Sequence, residues 1–260
     1  MKYIAAILLS AGVMCAANFA TGQSARAVIG QPNFTAQQYY DPTNADNTAT
    51  AATTLGGVSG LAWVNGSLFV VDSNRVGATP VNNRVVIYNN LLSPNFVPGS
   101  TLPSPTQEII NGDFGSASFL RCPACIVNPS VIVGQPDFVS VAQNLTQTGL
   151  RSPAGVATDG KILVIADTDN NRVLIWNSIP TTNGAPADVV IGQTGFGSIT
   201  FPPTVSQTSM RGPESVWIQG TKLFVADTLN NRILIWNTIP TQNGQPADLV
   251  LGQPDFTTTQ

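Results

Sequence analysis

Ala166-Asp167-Thr168-Asp169-Asn170-Asn171-Arg172-Val173-Leu174-Ile175-Trp176-Asn177 returns sixty residues later as Ala226-Asp227-Thr228-Leu229-Asn230-Asn231-Arg232-Ile233-Leu234-Ile235-Trp236-Asn237. The correspondence runs without a gap over 151–193 and 211–253, so the chain is built from a repeat. A degenerate third copy lies upstream. Leu68-Phe69-Val70-Val71-Asp72 stands for its first half and Asn82-Asn83-Arg84-Val85-Val86-Ile87-Tyr88-Asn89 for its second.

Each unit holds four short apolar runs; in the second copy they are 155–158, 162–166, 173–176 and 188–191. Asp159-Gly160 separates the first two and Asn170-Asn171 precedes the third, residue types that tolerate the left-handed backbone of tight turns. The unit therefore reads as a four-stranded antiparallel meander. Val173, Leu174, Ile175 and Trp176 do not alternate with polar residues, so both faces of that strand must be covered. Sheets stacked face to face around an axis do this, which predicts an all-β propeller of four-stranded blades.

The run Asp-Thr-x-Asn-Asn-Arg followed by Val, Ile or Leu and an aromatic residue resembles the NHL repeat of β-propellers. It is intact twice, and in the first copy it is interrupted by residues 73–81. The resemblance covers most of 58–253 and implies a fold; similar propellers serve as binding platforms, sensor domains and occasionally enzymes.

Blades are expected at about 57–138, 151–196 and 211–256 of a domain spanning 23–260. Val28-Ile29-Gly30-Gln31-Pro32 matches the unit endings Ile132-Val133-Gly134-Gln135-Pro136, Val190-Ile191-Gly192-Gln193 and Val250-Leu251-Gly252-Gln253-Pro254. Residues 26–30 thus read as a closing fourth strand whose three companions do not precede it. The expectation is three blades of a six- or seven-bladed ring, completed by residues encoded downstream rather than by pairing of two chains, which would have to exchange their N-terminal strands. The first unit is lengthened by loops at 35–56, 73–81 and 91–128, and long loops on a rigid scaffold are frequent recognition sites.

Residues 1–22 read as an export signal, with Lys2, an apolar stretch over 4–17, and Ala20-Thr21-Gly22 before a cleavage point. The protein is expected to be secreted, periplasmic or at the cell surface, with no membrane span. Of the 260 residues 43% are hydrophobic and 10% charged, with 23 Gly and 19 Pro, which suits a turn-rich globular chain. A net charge of -3 leaves no basic face for nucleic acid.

Cys122 and Cys125 form a Cys-x-x-Cys pair. Haem attachment needs a following His, a zinc site needs about four ligands, and redox exchange needs an α/β setting. A short disulfide in an exported loop is the favoured reading. The chain has no histidine, which removes Ser-His-Asp and Cys-His mechanisms.

Asp72, Arg84, Asp167, Asn171, Arg172, Asp227, Asn231 and Arg232 recur with the repeat, and a group present in every unit reads as architecture rather than as an active site built once. Trp176 and Trp236, with Tyr88 at the same position, read as packing between blades. No catalytic residue, cofactor site or metal site is assigned. The expected function is a non-catalytic binding or scaffold module for a protein or surface glycan. The rivals are a hydrolase or lyase holding a divalent cation, such as calcium, in the channel, and a sensor domain of a longer envelope protein.

Overall fold

The computed structural model describes Ile29 and residues 55–73, 82–91, 129–198 and 204–259. The export signal over 1–22, most of the closing strand at 26–30, and Cys122 with Cys125 lie outside these residues. The described chain is all-β, with three four-stranded antiparallel sheets each in sequential strand order. Sheet 1 comprises β1 (Val58–Val64), β2 (Ser67–Ser73), β3 (Asn83–Tyr88) and β4 (Val131–Val133). Sheet 2 comprises β5 (Gly155–Thr158), β6 (Leu163–Asp167), β7 (Arg172–Trp176) and β8 (Val189–Ile191). Sheet 3 comprises β9 (Pro213–Gln219), β10 (Lys222–Asp227), β11 (Arg232–Trp236) and β12 (Leu249–Leu251).

Turn chemistry sets the meander. Asn65 and Gly66 both have positive φ between β1 and β2, the backbone a two-residue hairpin requires. The second connection of sheets 2 and 3 is longer than a two-residue hairpin. Thr168–Asn170 and Thr228–Asn230 each form one turn of 3-10 helix, ended by Asn171 (φ 52°) and Asn231 (φ 51°) in the left-handed region. Asn accepts this conformation where a β-branched residue would not.

Sheet 2 is covered on both faces, which explains its uninterrupted apolar strands. Leu163, Ile165, Leu174 and Trp176 pack with Phe69, Val71 and Ile87 of sheet 1. On the other side Val164, Val173, Ile175 and Ile191 pack with Val216, Leu223, Leu234 and Trp236 of sheet 3. The far face of sheet 1 buries Val70, Val86, Tyr88 and Leu91, against which Ile29 and Leu55 pack.

Between sheets the contacts repeat as faithfully as within them. The amide N–H of Ile132 in β4 donates to Asn183 Oδ1 (3.1 Å), and Gly184 N–H donates to the Ile132 carbonyl (3.0 Å). Val190 in β8 makes the same pair with Asn243 (3.0 Å) and Gly244 (2.8 Å). Each Asn-Gly turn thereby covers the outer edge of the preceding sheet, an edge that would otherwise offer unpaired backbone groups. On the opposite side β1, β5 and β9 run beside one another. A Cβ on Gly60 would sit 2.6 Å from the Ala154 carbonyl oxygen, and one on Gly155 2.7 Å from that of Glu214. Only glycine permits this approach.

Candidate functional site

Two arrangements could carry function: the charged centre repeated in every sheet, and the hollow where the first strands meet. In the centre of sheet 2, Asp167 Oδ2 accepts from Arg172 Nε (2.7 Å) and Asn170 Nδ2 (2.8 Å), while Oδ1 accepts from the Arg151 amide (2.7 Å). Sheet 3 repeats this with Asp227, Arg232 (2.7 Å), Asn230 (2.9 Å) and the Arg211 amide (2.6 Å). Sheet 1 does so with Asp72, Arg84 (2.8 Å), Asn82 (2.7 Å) and the Gly56 amide (2.7 Å). The insertion at 73–81 therefore leaves the centre intact. All six charged side chains are buried.

The guanidinium groups also tie the ends of each unit together. Arg172 donates through Nη1 to the Phe196 carbonyl and through Nη2 to those of Thr146 (2.8 Å) and Gly149 (3.0 Å). Arg232 reaches Phe256 (2.6 Å), Ser206 (2.8 Å) and Ser209 (2.9 Å) in the same way. Arg84 Nη1 donates to the Phe138 carbonyl (2.9 Å). A rigid fork of five donors suits several fixed carbonyls, which a lysine would not satisfy. Burial pushes the Asp167 carboxyl up from its ordinary range, and the Arg172 charge with the hydrogen bonds from Arg151 and Asn170 pulls the other way. With both oxygens engaged and no access to solvent, these carboxylates cannot take a proton from a substrate.

Asn171 joins sheets rather than strands. Its Oδ1 accepts from the Gly212 amide (2.8 Å), as Asn83 Oδ1 accepts from the Ser152 amide (2.8 Å). Asn231 stands at the corresponding position of sheet 3 and donates its own N–H to the Thr228 carbonyl (3.1 Å). Trp176 and Trp236 are buried in the two inter-sheet cores, where their indole N–H groups donate to the carbonyls of Ala185 (3.0 Å) and Gln245 (3.1 Å). Tyr88 is equally buried, yet its hydroxyl has no hydrogen-bond partner among the described residues. Burial, reinforced by the Asp72 charge, raises its pKa to about 12.

The hollow is a feature that third-strand patterning does not reveal. The first strands enclose about 520 Å³, lined in part by Ser59, Trp63, Thr158, Glu214, Ser215 and Trp217. Its walls are the edges of the first strands, and Trp63 and Trp217 are more than half exposed. Gly60 and Gly155 at matching register, together with tryptophans inside first strands, are the signals that mark it in the sequence. Asp159 has a different task, since its Oδ1 accepts from the Lys161 (2.8 Å) and Ile162 (2.9 Å) amides and holds the first turn of sheet 2. Among the described residues no group of three or more His, Cys, Asp or Glu is placed to hold a metal ion. No described helix is long and apolar enough to cross a membrane.

No protein-family model matches the chain, and no curated protein matches it. Among solved structures it has a low similarity to the computationally designed Ika8 protein, at 9% identity and a TM-score of 0.26. The match covers 78% of this chain and 64% of the designed one, so the chain spans less than two thirds of that protein's length.

Proposed function

We propose that the protein is an exported, non-catalytic module of NHL-like propeller blades that binds a surface glycan or a protein through the hollow at its first strands. The observation behind this reading is an open hollow bordered by an exposed indole. The repeated Asp–Arg centres are consumed in tying each unit to its own flanking loops, whereas the half-exposed indole of Trp63 stands at a concavity walled by the edges of the first strands. An amphipathic indole beside an open sheet edge suits a ligand with both apolar and polar surface.

A glycan array and a panel of purified cell-wall polysaccharides, probed with the protein and with Trp63→Ala, test the glycan arm. Crosslinking of the intact protein at its native envelope tests the protein arm. Binding lost in Trp63→Ala while the folded spectrum is kept is the expected result. Calcium-dependent thermal stabilisation together with turnover of a glycoside or ester substrate would instead favour a cation-dependent hydrolase or lyase.

A further inference from the structure

The sequence contains four Asn-Gly pairs, at residues 65, 111, 183 and 243, of which Asn111-Gly112 lies outside the described residues. In such a pair the backbone can attack its own side chain, because glycine sets no Cβ in the way of the attacking nitrogen. The Gly nitrogen gives its proton to a solvent base and bonds to the Asn Cγ, and the side-chain nitrogen leaves as ammonia. Water then opens the five-membered succinimide at one of its two carbonyls, giving aspartate or isoaspartate. One water is consumed and one ammonia released. Asn65, Asn183 and Asn243 share this chemistry and are all exposed, so hydrogen bonding must separate them.

Two of the pairs are held at both reacting groups. Asn183 Oδ1 accepts from the Ile132 amide (3.1 Å), and the N–H of Gly184, the nucleophile, donates to the Ile132 carbonyl (3.0 Å). Asn243 and Gly244 are held by Val190 in the same way (3.0 and 2.8 Å). Ring closure there requires that both bonds to the neighbouring sheet be given up together. Asn65-Gly66 is placed differently, as the tip between β1 and β2. The Gly66 carbonyl accepts from the Leu91 amide (2.8 Å), but the Gly66 N–H and the Asn65 side chain have no hydrogen-bond partner among the described residues. Asn65 Nδ2 rests against the first turn of sheet 2, 2.8 Å from where a Cβ on Gly160 would stand.

We propose that Asn65 is a site of spontaneous covalent modification, converted to aspartate and isoaspartate in the folded protein while the two inter-sheet pairs are preserved. The product sets a carboxylate against the turn that Asp159 holds, where sheets 1 and 2 meet. Its isoaspartyl form adds a methylene to the backbone of a two-residue turn. That turn lies two positions from Trp63, at the end of β1 that borders the hollow.

Peptide mapping of the full chain by mass spectrometry, after incubation at mildly alkaline pH, gives the rate at each pair, and an isoaspartyl methyltransferase scores the isoaspartate. Asn65 is expected to react at least about tenfold faster than Asn183 and Asn243, which must each first lose two hydrogen bonds that Asn65 lacks. In denaturant the three rates should converge, since the same dipeptide reacts in each. An Asn65 that stays intact in the folded chain, a folded-state rate at Asn183 or Asn243 that matches it, or an excess at Asn65 that persists in denaturant would each overturn the proposal. None of these outcomes depends on what the hollow binds.

Discussion

At the residue scale the chemistry is that of buried charge made safe by saturation. Asp167 and Arg172 spend nearly every lone pair and N–H on fixed partners, so removing one member strands the other in the core. Arg172→Met is expected to destabilise by about 3 to 5 kcal/mol, measured as a shift in denaturant midpoint. Tyr88 presents the opposite case. Its buried hydroxyl lacks a described partner, so Tyr88→Phe should be neutral or stabilising by about 1 kcal/mol. A clear loss of stability would show that the hydroxyl is bonded after all. Asp255, fully exposed, accepts from the amides and hydroxyls of Thr257 and Thr258, which lower its pKa to about 2. The folded value lies below the unfolded one, so its contribution is present above the ordinary carboxylate pKa of about 4 and is lost as pH falls toward 2. A carboxyl-detected NMR titration with an Asp255 midpoint near 4 would contradict this.

At the element scale the first strands and the third strands do different work. Third strands carry the aromatic wedge, and Trp176→Ala should cost about 3 to 5 kcal/mol because it opens a cavity between sheets 1 and 2. A surface role for this ring predicts almost no change in midpoint. The first strands of sheets 1 and 2 carry glycine at the approach point, Gly60 and Gly155, a position no apolar periodicity announces. The left-handed turn positions were legible at Asp159-Gly160 and Asn170-Asn171, because the left-handed backbone is a property of one residue and its neighbours. The Arg forks were not. Their acceptors are backbone carbonyls 23 to 26 residues away, and every residue offers a carbonyl.

At the scale of the whole molecule, edge protection passes from sheet to sheet. Val250 pairs with Leu234 in the register of Val190 with Leu174 and Ile132 with Val86. Asn243 and Gly244 cover the edge at Val190, while no described residue plays that part at Val250. Hydrogen exchange should therefore be markedly faster at the Val250 amide than at those of Val190 and Ile132. Equal protection at all three would mean that the edge of sheet 3 is covered.

Sequence by itself determined the all-β class, the four-stranded unit, its turns and the buried third strands, because these follow from local periodicity and from a repeat that displays the same solution three times. Tertiary structure alone decided which exposed tryptophans line the hollow and how Asn183 and Asn243 reach the sheet before them. Those outcomes depend on distances between residues far apart in the chain, and residue type carries no record of such distances.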